Sequence, residues 1–333
     1  QSALVGRAYV YRLDGDEFAV VARGDDAATL PDVYQALHQA FRRQQTHEGK
    51  KFYCTLSAGC AQYPADAETY EDLVKFANYA LEYAKAHGKK RRVPFSPSIL
   101  AERSRTLELV ERLRDSIEHD FEGFRLVFQP QVNAADGRVI GAEALVRWVS
   151  GDLGIIPPDD FIPFFERNGF VVKVDLCVFE QACRIIRSWM DRRVKPVPIS
   201  VNLSPVHLHV PGFLDVLEEI RARYDVPSEL LELELTERVA FEGIEILARV
   251  VDDIHERGFR CSMDDFGSGY SSLNVLKDVP VDVLKIDRVF FSKSDERASD
   301  VVESVIGLAR KLHMGTVAEG VETVPQVEAL RAM

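Results

Sequence analysis

The sequence predicts an α/β fold arranged as a TIM-type (β/α)8 barrel behind a shorter first domain, and three observations carry this. From residue 124 onward short apolar β-runs alternate with helix-compatible stretches. The acidic and amide side chains of that region fall late in their runs. Near residues 85–98 a basic cluster with two prolines, KAHGKKRRVPFSPS, interrupts helix-compatible sequence on both sides and marks a boundary.

In chain order, residues 1–96 form the first domain, 97–106 a linker and 107–333 the second domain. The spacing of Leu107, Val110, Leu113 and Ile117 predicts an amphipathic helix leading into the second domain from about Ile99 to His119. Seven β-runs follow: FRLVFQPQV, GAEALVRW, PISVNLS, LLELELTE, FRCSMDDF, VDVLKID and GTVAEGV. Helical stretches at 173–193, 212–224, 241–257 and 298–313 separate most of them. Such alternation predicts parallel strands joined by crossover helices. Seven runs before Met333 are one short of a closed eight-stranded barrel.

Composition narrows the chemistry. A chain of 333 residues with 46% apolar and 28% charged residues supports two globular domains. The net charge of -12 disfavours a nucleic-acid polymer or an anionic membrane surface as the main partner. Five cysteines without CxxC spacing suggest neither a disulfide framework nor a zinc knuckle, so a reducing cytoplasm is expected. No apolar run reaches the roughly 18 residues of a membrane helix. Because residue 1 is Gln, the reading is of a piece of a longer protein, with sensor or inner-membrane segments conceivable upstream.

The polar residues read as falling late in the β-runs, after apolar residues, are Glu143, Asn202, Glu234, Asp264, Asp265, Lys285, Asp287 and Glu319. In an α/β barrel the late ends of all strands open on one face, where active sites lie. Glu143, Asn202, Glu234 and Asp264 offer hard oxygen ligands suited to magnesium or manganese, and Asp265 could reach toward a second ion. Without a cation, so many close carboxylates repel one another and raise their own pKa values. Arg147 lies on the same strand face as Glu143, roughly 13 Å further along, placed to grip a phosphate or to form an ordinary salt bridge. Lys285 could polarise a water or offset charge on phosphoryl oxygens. The loop DFGSGYSSL reads as a mobile lid or a tight turn. His207 and His209 form an HxH where a helix or loop begins, and read as surface histidines rather than metal ligands.

With those motifs in place, residues from about 107 to 333 resemble the EAL domain, the cyclic di-GMP phosphodiesterase family. FQPQV at 128, EALVRW at 143, PPDDFIPFFERNG at 157, VNLSP at 201, ELTE at 234, DDFGSGYSSL at 264, LKIDR at 284 and VAEGVET at 317 carry the likeness, in order. The resemblance implies a modified barrel that hydrolyses cyclic di-GMP to linear pGpG with two magnesium or manganese ions. Residue by residue, it implies that Glu143, Asn202, Glu234 and Asp264 hold one ion and that Asp264, Asp265 and Glu319 hold the other. It gives Lys285 the nucleophilic water, and Glu319 a competing role as general base. Gln129, Leu145 and Arg147 match substrate contacts, while Glu237 and Glu322 match outer acids, Glu237 bracing the loop after Asp265. In the family that loop, here Phe266 to Leu273, couples dimerisation to activity, so a homodimer through the barrel is implied. A non-catalytic cyclic di-GMP receptor is the alternative, and an unrelated magnesium-dependent barrel enzyme a third reading. The family continues past Met333 into a last strand, which this chain is expected to lack.

Residues 1 to 96 resemble the second half of an α+β GGDEF domain, of the diguanylate cyclase family, on YRLDGDEFAVV at 11, TLSAGCAQYP at 55 and FANYALEYAKAHGKKR at 76. The signature reads DGDEF, with Asp14 in place of a glycine that lets a backbone approach a base. Asn78 and Glu82 replace an aspartate and a tyrosine of the later helix motif. Val5 to Ala8 occupy the place of the RxxD product-inhibition motif, and the front half of the fold is absent. The resemblance therefore implies no cyclase activity. Asp16, Glu17 and Lys85 keep family identities, and regulatory GTP binding stands beside plain surface charge as an open reading.

Overall fold

Six residues, Asn133 to Arg138, separate the first two strands of the second unit, and that length decides how they pair. In the computed structural model the strands are β7 (Phe124–Val132) and β8 (Val139–Ser150), and they run antiparallel. A parallel pair needs a crossover of a dozen residues or more; six suffice only for a hairpin. Asn133 and Asp136 side chains accept N–H bonds from Ala135 and Arg138, and Gly137 takes φ +72°, closing the turn. The expectation of parallel strands throughout is corrected here.

The structure describes residues 8–22, 29–42, 45–47, 50–52, 54–151, 153–237, 239, 243–267, 273–291 and 296–333. It divides into two compact units, Gln1–Arg112 and Leu113–Met333.

In the first unit, β1 (Tyr9–Asp14) and β2 (Glu17–Val21) make an antiparallel hairpin. Its turn is Gly15, at φ +48°, and Asp16, and the Arg12 guanidinium donates to the Gly15 carbonyl at 2.8 Å. Then come α1 (Thr29–Arg42), the short pair β3 (Gln45–His47) and β4 (Lys50–Phe52), β5 (Ala58–Cys60), α2 (Tyr70–Ala86) and β6 (Arg92–Pro94). Ala80 of α2, Phe95 and Ile99 form the core of this region, with Phe76 stacked on Phe95 at 4.3 Å between centroids. Gly59 of β5 allows α2 to come close, because a Cβ there would lie 2.0 Å from the Ala77 carbonyl. Lys85 pairs with Glu17 at 3.0 Å, both half exposed, and Glu82 pairs with Arg103. Asp14 and Asp16 are exposed on the hairpin and Asn78 is exposed on α2. Most of the Val5 to Ala8 segment lies outside the described residues.

α3 (Pro97–Glu118) includes the segment read as a linker. Besides Ile99 near its start, its buried positions are Leu109, Leu113 and Ser116, spaced four and three apart, while Leu107 is exposed. The amphipathic face is thus rotated from the one the sequence pattern marked, because Ser116 buries its hydroxyl by donating to the Glu122 carbonyl at 2.7 Å.

In the second unit β9 (Gly154–Ile156) pairs with β8. There follow α4 (Pro158–Asn168), α5 (Val171–Asp191), β10 (Ile199–Leu203), α6 (Phe213–Arg223), β11 (Leu231–Thr236) and α7 (Ile244–Glu256). β12 (Arg260–Phe266), α8 (Leu273–Asp278), β13 (Val283–Ile286), α9 (Glu296–Lys311), β14 (Gly315–Ala318) and α10 (Val324–Ala332) complete it. The sheet order is β14-β13-β12-β11-β10-β8-β7, parallel from β14 to β8.

Strand β11 shows why the fold forms. Leu231, Leu233 and Leu235 are buried on one face, and Glu232 and Glu234 are buried on the other. A strand covered on both faces belongs to a sheet with helices outside and a filled interior. The second unit also packs aromatic rings: Phe124 stacks on Trp148 at 5.1 Å and Phe161 meets Trp148 edge-on at 5.6 Å.

Candidate active site

Lys285 is the centre of the site. Its side chain is 1% exposed, and its Nζ lies 3.0 Å from Glu143 Oε2, 2.9 Å from Glu234 Oε2, 3.2 Å from Asp264 Oδ1 and 2.9 Å from Glu319 Oε1. These carboxylates come from β8, β11, β12 and the end of β14. Five strand spacings separate β8 from β14 in the sheet order, about 24 Å if the sheet were flat. Both reach one ammonium, so the sheet is curled around the site.

The charges do not balance. An ammonium carries three protons and one charge, whereas four carboxylates face it. Burial opposes the charge on Lys285, but Glu234, Asp264, Glu143 and Glu319 together override it and push its pKa above the ordinary lysine value. Burial likewise pushes the Glu234 carboxyl up, against the pull of Lys285 and with the help of Glu143 and Asp264. For Glu319 burial raises the pKa and Lys285 opposes it.

Glu234 Oε1 is buried with no hydrogen-bond partner, and oxygens of Glu143, Glu234 and Asp264 lie within 4.8 Å of one another. An orphaned carboxylate oxygen in a cluster with excess negative charge is the donor set that a hard divalent cation satisfies. The residues fit such an ion.

Around this centre the other predicted residues are placed as follows. The Asn202 amide donates to Glu143 Oε1 at 3.0 Å. Asp265 takes φ +58°, and its N–H donates to Asp264 Oδ1 at 2.8 Å. The β12–β13 register shifts between Met263 and Phe266, so a bulge and a left-handed residue break the alternation where the two aspartates sit. Glu237 is buried and accepts from the Gly267 N–H at 3.2 Å, bracing the start of the loop after Asp265. Residues 268–272 of that loop lie outside the described residues.

Gln129 faces Glu143 across the hairpin and is exposed; Leu145 stands opposite Val127 and is half buried. The Arg147 guanidinium donates to the neighbouring Val146 carbonyl at 2.8 Å rather than to a carboxylate. Glu322 is exposed at the start of α10, its N–H on Gln326 Oε1. Asp287 does not join the cluster: its carboxylate accepts from the Val289 N–H at 2.7 Å, closing the turn after β13.

His207 corrects the sequence reading. It is buried, not on the surface, because its Nε2 lies 2.9 Å from Asp175 Oδ2 on α5. Asp175, Glu166 and Ser204 were not singled out in the sequence. The signal was there for Asp175, a carboxylate on the helix face that otherwise buries Val171, Val174, Val178 and Phe179.

Gly267, at φ +98°, would place a Cβ 1.9 Å from the Phe290 ring. Gly267→Ala is expected to lower stability by about 1–3 kcal/mol through strain and overpacking. Urea denaturation checks this, and an unchanged midpoint would contradict the close approach.

A curled α/β sheet that gathers four carboxylates, an amide and a buried lysine from neighbouring strands defines a modified barrel with an acidic, cation-accepting pocket. The chain belongs to the EAL domain family, whose profile matches residues 110–333, and the diguanylate cyclase GGDEF domain profile matches residues 1–91.

Among its relatives is the cyclic di-GMP phosphodiesterase NbdA of Pseudomonas aeruginosa, 34% identical over 97% of this chain and 41% of NbdA. Another is the bifunctional diguanylate cyclase/cyclic di-GMP phosphodiesterase MucR of the same organism, 34% identical over 96% of this chain and 47% of MucR. The chain thus spans somewhat under half the length of these relatives. The solved PaMucR phosphodiesterase in complex with c-di-GMP is 36% identical, covers 68% of this chain and 91% of its own, and superposes with a TM-score of 0.63.

Proposed function

We propose that this chain hydrolyses cyclic di-GMP to linear pGpG with two magnesium or manganese ions. The observation that carries the reading is the buried Lys285 cluster, in which four carboxylates outnumber one ammonium and Glu234 keeps an oxygen unpaired. The likeness to phosphodiesterases of cyclic di-GMP supplies the substrate.

Glu143, Asn202, Glu234 and Asp264 would hold one ion, and Asp264, Asp265 and Glu319 the other. Bound there, the ions supply Lewis acidity at the phosphoryl oxygen and lower the pKa of a water. Lys285 holds that water and offsets the charge that develops on phosphoryl oxygens. In the competing assignment Glu319, the most exposed acid around Lys285 at 29%, leaves the ligand set and accepts the water's proton. Arg147 exchanges the Val146 carbonyl for a substrate phosphate, while Gln129 and Leu145 line the approach. Glu237 keeps the loop start in place and Glu322 supports the far side.

Residues 1–96 are read as a regulatory domain without cyclase activity, 97–106 as its connection and 107–333 as the phosphodiesterase. The Asp14 carboxylate at the turn would repel a nucleotide phosphate, which disfavours cyclase chemistry; GTP bound near Asp16, Glu17 and Lys85 would act as an effector. Among the described residues no helix is long and apolar enough to cross a membrane. A cytoplasmic site of action and a homodimer through the barrel are part of the same reading.

The test is incubation of the chain with cyclic di-GMP and Mg2+ or Mn2+, with and without GTP, followed by chromatography. Formation of pGpG that requires the divalent ion is the expected result, and Glu143→Ala is expected to abolish it. Binding of cyclic di-GMP with no pGpG would leave the non-catalytic receptor; no binding at all would leave an unrelated barrel enzyme.

A further inference from the structure

Strand β10 is held unevenly. Its ladder with β11 runs from Ile199 to Leu203, but its ladder with β8 stops at Val201, one residue before Asn202. The Asn202 amide nevertheless bridges toward β8, donating to Glu143 Oε1. Something other than the sheet must fix the chain on that side.

The residue two positions on is clamped from two helices. Asp175 Oδ2 accepts the Ser204 N–H at 3.1 Å, and the same oxygen lies 2.9 Å from His207 Nε2. The Ser204 hydroxyl donates to Glu166 Oε1 of α4 at 2.8 Å and accepts from the Val206 N–H at 3.4 Å, capping the short 3-10 helix Pro205–His209. The His207 ring packs on Phe213 at 4.7 Å, which fixes its plane.

This group is expensive to bury. Burial pushes the Asp175 carboxyl up, against the His207 bond, and His207 Nδ1 is left without a partner. An apolar pair of the same volume would pack α5 against β10 more cheaply. What the polar group provides instead is direction: two bonds to one carboxylate oxygen determine where the backbone turns after Asn202.

We propose that Asp175 and His207 are positioning residues of the pocket, acting through Ser204 to hold Asn202 against Glu143. The proposal rests on the reading that Asn202 and Glu143 share a divalent ion. Supporting partners of ligand side chains typically change metal affinity about 10- to 100-fold when removed.

The full chain is compared with His207→Ala, His207→Gln and Asp175→Asn. Mn2+ affinity is measured by calorimetry, and the Asn202 side-chain amide resonances are followed without metal, identified by their loss in Asn202→Asp. Thermal melts establish that each variant is folded at the assay temperature. His207→Ala is expected to weaken Mn2+ binding about tenfold and to shift the Asn202 amide, while His207→Gln, which keeps a donor facing Asp175, restores both. A folded His207→Ala with wild-type Mn2+ affinity and unshifted Asn202 resonances would overturn the proposal and leave a packing role only. If His207→Ala does not fold, Asp175→Asn, which removes the charge from the acceptor shared by the Ser204 N–H and His207, decides by the same two readouts. If the unsubstituted chain binds no Mn2+, the metal reading fails separately, and the Asn202 resonances alone decide the positioning role.

Discussion

Lys285→Met is expected to destabilise the chain by about 3–5 kcal/mol, the cost of removing one partner from a buried charged set. Methionine fills much of the same volume, so the loss is electrostatic rather than a cavity. Glu143, Glu234, Asp264 and Glu319 would then face one another across the pocket with no cation between them. Native domains keep only about 5–15 kcal/mol in total, so this is a large share. In a unit of this size the melting temperature should fall by about 10 °C. The same reasoning predicts that millimolar Mg2+ recovers part of the loss in the variant, because a bound ion replaces the missing charge. Thermal melts with and without Mg2+ measure both effects. An unchanged midpoint would mean that the carboxylates are protonated or solvated and that Lys285 does not organise them.

Asp264→Asn is expected to behave in the opposite way, with stability retained and turnover of cyclic di-GMP reduced by about three orders of magnitude. The amide is isosteric, and it relieves repulsion by removing one of four clustered carboxylates. What it loses is a charged ligand that the reading assigns to both ions, together with the electrostatic stabilisation those ions give to the transition state. Measuring initial rates of pGpG formation beside a melting curve separates the two consequences. A rate within tenfold of the parent would remove Asp264 from the chemistry.

The sequence and the structure agree most closely where one periodicity governs. In LLELELTE, period-two alternation places leucines on one face and Glu232 and Glu234 on the other, and the structure buries both rows. The late position of Asp264, Lys285 and Glu319 in their runs predicts that they meet, and the structure joins them at Lys285; Glu143 reaches the same ammonium although it stands fifth of twelve in β8. What the pattern could not convey depends on local geometry. Alternation alone predicts that Asp264 and Asp265 face opposite ways, and it does not foresee the bulge with Asp265 at positive φ that interrupts the strand there. The direction of the first strand depended on the six-residue length of a turn, a clue that was present but outweighed by the regular βα pattern. Asp287 shares the late placement of the others, yet a backbone N–H two residues on captures its carboxylate. His207 was misplaced because its partner lies 32 residues earlier on a helix, and no local pattern reports such a pairing.

The curled sheet also bears on how the protein folds. The bond from Lys285 to Glu143 closes a separation of 142 residues. Loop-closure entropy makes such a contact late and slow to form, so the acids cannot be neutralised by Lys285 until nearly the whole sheet has wrapped. Before that moment the excess negative charge opposes closure, and afterward it is locked inside. The pocket therefore has no independent existence as a locally stable element: hydrogen exchange at Lys285 and Glu234 should track global unfolding, and divalent ions should protect the amides of β8 and β14 together.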